Sequence, residues 1–551
     1  MGKKETRPGW DRREAARVRD RFKLFSGSQR DFARESGVPR TTFQHWNKRC
    51  GEIGLAPVVV EFFESSAGQE FLHQMMGSLL LDLHLKGNAS LGSLASFLGR
   101  TNLNRFVPSS KSSLQRSAAE MGTHIISFAN AERNRMAAEM PFKEISIAHD
   151  ETFPNGVCLV AIELVSNFIL LERMAADRKT TTWNHHMQQA LTGLPVKVTQ
   201  AVGDEARSLV KHATEGLKAH HSPDTFHIQQ ELTKAASAQL KLKIKRTEET
   251  LKKKTREVDK QLEKKGDYND LASKPRGRPP AFDARIEKAR SDEMECVREL
   301  RQAQITNKTF HESRRNISHS YHPYSLETGL PQSPKEVEAK LERDFDQITE
   351  TTASLKEVFS KRVKKARKQV DAMTATVAFF FGAITVYLDN LKLNDWNRML
   401  LEDFLIPACY LEIAASNIKD KSRRSKVEQV YSDLMSDYDR RAGPFAGLTD
   451  ELRQTMLEAA KECAGIFQRS SSAVEGRNGQ LALKYHNLHR LSDRKLASLT
   501  AIHNFDTRRS DGTTPAERFF GSTHPDLFDY LMSNMKSFGR PRFKPKLAKS
   551  A

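Results

Sequence analysis

The stretch "ISIAHDETFPNGVCLVAIELVSNFILLE", residues 145–172, decides the fold because it predicts three consecutive β-strands. The β-rich runs in and around it, EISIAHD, GVCLVAIELV and FILLERMA, are separated by the short turns ETFPN and SN. Asp150 ends the first run, where a half-buried strand should not carry a bare charge. A buried, unpaired carboxylate is costly, so it is usually neutralised, paired or bound to a metal. The rest of the chain therefore has to supply partners for Asp150.

Helices and strands alternate in the sequence that follows. A helix-like TTTWNHHMQQALTG precedes the strand VKVTQAVGD, the helix EARSLVKHATEGL and the strand-like AHHSPDTFHI. Three antiparallel strands followed by alternating helix and strand resemble the ribonuclease-H-like fold, in which strands one, four and five run parallel. We predict an α/β ribonuclease-H-like core with a mixed five-stranded sheet, and mainly α-helical N-terminal, insertion and C-terminal regions.

The charge of the chain favours a polyanionic partner. Its 551 residues, too many for one core, carry 88 Lys and Arg against 69 Asp and Glu, a formal net charge of +19. Each phosphate that a cation neutralises releases condensed counterions, so double-stranded DNA is the expected partner. The alternative is a merely soluble basic protein.

The cysteines and the apolar segments indicate a cytoplasmic protein, nucleoid-associated in a prokaryote, with no membrane partner. The five cysteines show no CxxC spacing, which argues against a zinc site or a disulfide framework. The N-terminus lacks the apolar region of a signal peptide. The most apolar stretch, DAMTATVAFFFGAITVYL, is short for a membrane span and predicts a buried core helix.

Residues 27–49, GSQRDFARESGVPRTTFQHWNKR, predict a helix-turn-helix. Gly37 suits the turn, and Pro39 suits the first turn of the second helix. That helix would offer side chains able to reach base edges or phosphates, namely Arg40, Thr41, Thr42, Gln44 and His45. The alternative is an ordinary helical hairpin.

Changes of composition along the chain predict six regions. They are a helix-turn-helix DNA-binding region (1–55), a helical domain (56–140), the first part of the ribonuclease-H-like core (141–230), a charged coiled-coil insertion (231–370), a helical part with the remainder of the catalytic core (371–530) and a basic tail (531–551). We expect the insertion to be an antiparallel hairpin, whose apolar stripe either closes on itself or serves dimerisation.

The tip of this hairpin carries KPRGRPPAF, residues 274–282, which resembles an AT-hook. Arg276 and Arg278 would lie in a narrow A·T minor groove, and Gly277 would allow close approach to its floor. The alternative is a stiff basic loop.

The fold places two acidic residues at neighbouring strand ends. Asp150 ends the first strand and Asp204 follows the fourth, and two such carboxylates repel unless a divalent cation lies between them. A third carboxylate is expected from a helix, and Glu475 in QRSSSAVEGRNGQLALKYHNLHRLS is the best candidate, although a solvated glutamate is the commoner use. Arg477, Asn478 and Lys484 would share its neighbourhood and could hold DNA phosphates.

The motifs HDET, VGDEA, SPDTFHIQQEL, SSSAVEGRNGQL and DGTTPAERFFG together resemble insertion-sequence transposases of the DDE class, over roughly residues 145–525. The resemblance implies a ribonuclease-H-like core split by a helical insertion. It also implies a metal-binding catalytic triad of Asp150, Asp204 and Glu475 with two Mg²⁺ or Mn²⁺ ions per active site. The chain lacks the Tyr-Arg-Glu-Lys spacing of one branch.

The block HHSPDTFHI adds two possible neighbours of the active site, because similar transposases carry an Asp-x-Phe-His block there. Asp224 and His227 would then lie near the metals or the scissile phosphate. The alternative is that Asp224 caps the long helix that follows.

The expected function is therefore a DNA transposase that cuts phosphodiester bonds at transposon ends and joins the 3′-hydroxyl to target DNA. We expect a homodimer or larger synaptic assembly, since each transposon end needs an active centre. The alternatives are a catalytically inactive, transposase-derived DNA-binding regulator and a structure-specific DNA nuclease on the same fold. A coiled-coil scaffold would leave Asp150 unexplained.

Overall fold

The structure is a computed structural model of the chain. It describes residues 12–51, 55–154, 156–469, 471–488, 491–509 and 511–538. Most of the predicted basic tail, residues 531–551, lies outside the described residues. Helices make up most of the described chain, and its strands form a five-stranded mixed sheet.

The strands of the sheet lie in the spatial order β3-β2-β1-β4-β5. Their bounds are β1 Lys143–Thr152, β2 Val157–Glu163, β3 Ile169–Ala175, β4 Val196–Gly203 and β5 His220–Pro223. The β2 and β3 strands pair antiparallel, whereas β4 and β5 pair parallel. The five predicted strands are therefore confirmed, but β5 is shorter than predicted, because the residues after Asp224 form a helix.

The first eight helices follow the chain to the fourth strand. They are α1 Arg12–Lys23, α2 Gln29–Ser36, α3 Arg40–Gly51, α4 Pro57–Glu64, α5 Ser66–Ser78, α6 Leu91–Arg100, α7 Lys111–Glu139 and α8 Thr180–Leu191. A π-helical segment, Leu79–Lys86, continues α5.

The segment predicted to be a helix-turn-helix contains the two helices α2 and α3, separated by a short turn. Ser28 caps α2, and Gly37 ends it in the left-handed conformation with φ of 70°, which glycine adopts at little cost. The helices close over Val18, Phe32, Val38 and Phe43, and the rings of Phe32 and Phe43 lie 5.8 Å apart.

The next ten helices run from the fourth strand to the start of the segment that carries Glu475. They are α9 Arg207–Lys211, α10 Thr225–Asp270, α11 Phe282–Ser320, α12 Pro334–Thr352, α13 Glu357–Arg367, α14 Val370–Asn390, α15 Asp395–Leu400, α16 Ile406–Ser416, α17 Lys421–Arg440 and α18 Asp450–Gly465.

The long helices α10 and α11 form the predicted antiparallel hairpin. Ion pairs cross it between Lys254 and Asp292, at 2.7 Å, and between Lys265 and Asp283, at 2.6 Å. Apolar side chains of both helices, including those of Leu240, Val258, Ile286 and Cys296, are buried in it. Part of the apolar stripe thus closes on itself, whereas Leu262, Met294 and Val297 are exposed, and the predicted dimer stays a prediction.

One helical run in the described part of the chain, Glu357–Asn390, is long and apolar enough to cross a membrane by length and composition, with a mean hydropathy of 1.5. Its α14 portion buries one face, since Val370, Met373, Val377 and Phe380 recur at three- and four-residue steps in a large apolar core. This packing is what the prediction of a buried core helix requires.

The last four helices are α19 Ser472–Leu488, α20 Asp493–Phe505, α21 Pro515–Phe520 and α22 Leu527–Asn534. The α20 helix covers β3, the edge strand of the sheet, where Asn504 exchanges two hydrogen bonds with the backbone of Ile169, one at 2.9 Å and one at 3.0 Å. Phe519 of α21 stacks on Phe168 with ring centroids 4.6 Å apart.

The described residues divide into two compact units. The first comprises those of Met1–Ile145, Asp150–Lys197 and Ala473–Ala551, and the second comprises Ser146–His149 and Val198–Ser472. The predicted boundary at residue 370 does not separate the two units. Helices α14 to α18 share one apolar core with the arm, which contains Ile228, Phe310 and Tyr410 among others, so they extend the insertion to residue 472.

Candidate metal and catalytic site

Asp150 lies where β1 leaves the core. Residues 145–149 are all buried, and Asp150 is the first of three half-buried residues that end the strand. A carboxylate at this point is held by a rigid strand and still reaches the surface. This position answers the question raised by the sequence, because the strand stays buried only up to its charged end.

Glu475 lies in the first turns of α19 and is half-buried. Buried Val474 and Leu481 anchor the same helix. One ligand atom from each of Asp150, His227 and Glu475 lies within 4.8 Å of the others. Three residues that the sequence predicted near one active site are thus brought together, and two of them are carboxylates.

Asn478 follows Glu475 by one helical turn and contacts the other carboxylate. Its side-chain Nδ2 donates a hydrogen bond to Asp150 Oδ2 at 2.9 Å, across 328 positions of sequence. Its Oδ1 is buried and accepts no hydrogen bond from any described residue. Asn478 was predicted to contact a DNA phosphate, but its amide N–H instead orients Asp150. Its amide oxygen makes no hydrogen bond to the described residues.

Arg477 does not offer its guanidinium to solvent. Its Nε and Nη2 donate to the two carboxylate oxygens of Glu172 at 2.7 and 2.6 Å, and both side chains are almost fully buried. The Thr500 hydroxyl donates to Glu172 as well, at 2.6 Å. The expectation that Arg477 binds a DNA phosphate is therefore corrected, because its guanidinium forms a buried, bidentate ion pair with Glu172.

Lys484 is likewise buried. Its ammonium donates to the backbone carbonyls of Leu85 and Lys86, and burial lowers its pKa to about 8. The predicted DNA contact is corrected here too. The ammonium caps the last carbonyls of the π-helical segment Leu79–Lys86 and does not face solvent.

Asp204 is not one of the three residues that converge. Its Oδ1 accepts a hydrogen bond from the backbone N–H of Ala206 at 2.8 Å, an Asx-turn that holds the carboxylate against its own loop. Its membership of a metal site stays a prediction.

Asp224 has the structural role that was the alternative to a catalytic one. It is the N-cap of α10 and accepts a hydrogen bond from Phe226 N at 3.0 Å. It also accepts hydrogen bonds from the backbone N–H and the hydroxyl of Ser471, at 3.0 and 2.6 Å. His227 lies one turn into the same helix, with Nε2 at 3.8 Å from Asp224 Oδ2.

Buried histidines, which were not predicted from the sequence, lie behind the carboxyl end of β1. His149 is fully buried, its ring centroid is 5.6 Å from that of His212, and burial holds its pKa well below the usual value. His149 is therefore neutral at physiological pH and adds no charge beside Asp150. Its position within a predicted β-strand, next to Asp150, could have indicated that His149 is buried.

The predicted DNA-binding side chains lie at the surface. In α3, Arg40, Thr41, Gln44 and His45 are exposed and Thr42 is half-buried. At the tip of the arm, the whole segment 271–281 is exposed, including Arg276 and Arg278, and Gly277 has a φ of 128°. Their contact with DNA stays a prediction.

Part of the chain matches a known family. Residues 401–547 match the model of the "Family of unknown function (DUF6399)", a segment that covers well under half of the chain and includes α19 with Glu475. No curated protein and no solved structure matches the chain. The family description carries no activity, so the chemistry has to be inferred from the side chains.

Proposed function

We propose that this chain is a DNA transposase of the DDE class, whose ribonuclease-H-like core cuts transposon ends and joins the 3′-hydroxyl to target DNA. One observation carries the proposal. The carboxylates of Asp150, at a strand end, and Glu475, on a helix hundreds of residues later, come within 4.8 Å of each other. The strand order β3-β2-β1-β4-β5, with β4 and β5 parallel, supports the fold part of the proposal.

Two carboxylates this close repel each other unless they share a proton or a cation. The neighbouring groups fit a cation. Carboxylate oxygens are ligands for both Mg²⁺ and Mn²⁺, and the imidazole of His227 is a ligand more usual for transition ions. Of the two ions predicted from the sequence, this donor set favours Mn²⁺.

The side chains divide the work of such a site. A divalent cation, when bound, activates the attacking hydroxyl and stabilises the leaving oxygen of a phosphodiester. Asp150 and Glu475 would hold it, and Asn478 keeps the Asp150 carboxylate in one orientation. The buried Arg477–Glu172 pair fixes α19 against β3, so Glu475 stays in place. A second ion and the participation of Asp204 remain part of the proposal.

DNA is the proposed substrate because the chain carries exposed cations on separate elements. The α3 face with Arg40 would contact terminal repeats, and the arm tip with Arg276 and Arg278 would contact a minor groove. A homodimer would supply one active centre per transposon end.

Strand cleavage and joining test the proposal. A plasmid carrying the encoding gene with its flanking DNA is incubated with the protein and Mn²⁺ or Mg²⁺. We expect metal-dependent nicks that leave 3′-hydroxyls, followed by joined products. Asp150→Asn should remove both activities, whereas Asp529→Asn, a matched change at an exposed position, should leave them intact.

Each other outcome selects a different function. Cleavage of branched DNA without joining would establish a structure-specific nuclease. DNA binding without any metal-dependent cleavage would establish the inactive regulator. Full activity of the Asp150→Asn variant would remove this site from the chemistry.

A further inference from the structure

The second unit contains an open, polar cleft of about 810 Å³. Three helices line it: α11 near its C-terminal end, α12 with Lys340 and Arg343, and α17 with Arg423 and Lys426. Four cationic side chains thus face one cavity from two different helices.

Few of these cations are neutralised inside the protein. Lys340 donates a hydrogen bond to the amide oxygen of Gln332. Within the described ranges, Arg343, Arg423 and Lys426 have no carboxylate within ion-pair distance. On the same helices, by contrast, Arg424 pairs with Glu428 at 2.9 Å, and outside the cleft Arg367 pairs with Glu342 and Asp346. Arg343, Arg423 and Lys426 are therefore left available in the cleft, whereas Arg424 and Arg367 outside it are paired.

The acidic groups in the cleft do not cancel this charge. Glu327 and Asp344 are the carboxyl groups that line it, and burial raises the pKa of Asp344 to about 6. His319 is neutral at physiological pH, because burial and the nearby Arg423 lower its pKa. Four cations against two acids leave the cleft positive.

The geometry points to this cleft as a binding site for the backbone phosphates of DNA. Arginine side chains from different helices can each take one phosphate, and the amide side chain of Gln347 in the lining can donate hydrogen bonds beside them. No Phe, Tyr or Trp is among the lining residues in the described part of the chain, and His319 offers the one ring in that lining, so a nucleotide base would find little aromatic surface to stack on. A backbone therefore fits better than a free nucleotide.

This inference deepens the proposed function and depends on DNA being its substrate. The cleft would hold DNA without touching the reacting phosphate. Binding measured in EDTA therefore reports on the cleft, and metal-dependent cleavage reports on Asp150 and Glu475. Failure of one leaves the other standing.

Adjacent arginines of α17 supply a matched pair for the test. Arg423→Gln removes a cleft cation, and Arg424→Gln makes the same change at the paired, exposed neighbour. Binding of the full-length protein to a fluorescent mixed-sequence DNA duplex is followed by anisotropy in EDTA over a range of salt. The slope of log K against log salt is negative, and one phosphate contact contributes about 0.9 to its magnitude. We expect Arg423→Gln to reduce the magnitude of this slope by about 0.9 and Arg424→Gln to leave it unchanged.

The double variant Arg343→Gln/Arg423→Gln should reduce the magnitude of the slope by about 1.8 and bind the DNA duplex at least about tenfold more weakly. Thermal melts confirm folding, and Lys426→Gln, at an exposed position, replaces the double variant if that one unfolds. Equal slopes for the Arg423 and Arg424 variants would overturn the inference. So would stabilisation of the wild type by pyrophosphate that the Arg423 variant loses while its DNA binding persists, since the cleft would then take a small phosphate ligand.

Discussion

Two contacts of α19, made by residues only two positions apart, differ in their electrostatics. Arg477 meets Glu172 of β3, so a cation and a carboxylate neutralise each other in a dry, two-pronged pair. Glu475 meets Asp150 of β1, so two carboxylates of the same charge lie within 4.8 Å. Folding alone accounts for the first contact, which is complete without any ligand.

The second contact brings two acids together beside His227, the arrangement to which we assign the proposed metal site. A helix that can bury an arginine against one strand could equally place a cation opposite the other, yet this one places an acid and an amide there. Proteins tolerate unfavourable charge pairs chiefly at sites of binding and chemistry. The difference between the contacts therefore separates a structural pair from the pair to which we assign the proposed function.

Removing Glu475 should give the largest effect on activity. We expect Glu475→Gln to reduce metal-dependent cleavage by at least about 10³-fold, because metal ligation supplies several kcal/mol of transition-state stabilisation. The same change relieves a like-charge contact, so the melting temperature in EDTA should stay equal or rise. A variant that lost stability and activity together would show that the acidic pair is structural.

Breaking the Arg477–Glu172 pair should give the largest effect on stability. We expect Arg477→Met to lower the free energy of unfolding by about 3–5 kcal/mol, because it leaves the Glu172 carboxylate buried without its cation. The double variant Arg477→Met/Glu172→Met should recover much of that loss. Urea denaturation measures each variant, and equal stabilities for the single and double variants would contradict a coupled pair.

Local pattern predicted the first four strands and several of the helices. Alternating apolar runs predicted β1 to β4, and the turn residue Gly37 predicted the crossing of α2 and α3. The convergence of Asp150 and Glu475 was also predicted, but through a resemblance of motifs, since no local pattern links residues so far apart.

The partners of the cations could not be predicted, because burial is decided by distant chain segments. Arg477 lies two residues after Glu475, a position from which an arginine could also bind a DNA phosphate. Its partner, Glu172, is 305 positions away in the sequence. The carbonyl of Leu85 that takes Lys484 is 399 positions away. The sequences of helices α14 to α18 likewise do not reveal which core these helices join, because an apolar stripe fits any core of suitable shape.

Asn478 tests how far the acidic pair depends on its orientation. We expect Asn478→Ala to weaken Mn²⁺ binding by about 10–100-fold, the usual loss when a residue that orients a metal ligand is removed. Calorimetric titration with Mn²⁺ measures the affinity, and Asn534→Ala, at an exposed position of α22, serves as the control. Unchanged Mn²⁺ affinity in the Asn478 variant would mean that Asp150 needs no support from α19.

Replacement of Lys484 should give the smallest effect on stability. It tests the conclusion that this lysine is buried in the protein and does not contact DNA. Its pKa in the folded protein is about 8, below the ordinary value of 10.5, because burial disfavours the charged form. The folded state therefore bears a cost below pH 8, and this cost is relieved as pH rises from 8 towards 10.5.

Stability should accordingly rise with pH across that window in the wild type, by about 1 kcal/mol after allowance for partial solvation. Lys484→Met, which cannot titrate, should lose this rise while binding DNA in EDTA as the wild type does. Urea denaturation at a series of pH values measures the first effect and anisotropy the second. Weakened DNA binding by the variant would return Lys484 to the set of phosphate contacts, and the electrostatic contrast along α19 would then extend to its far end.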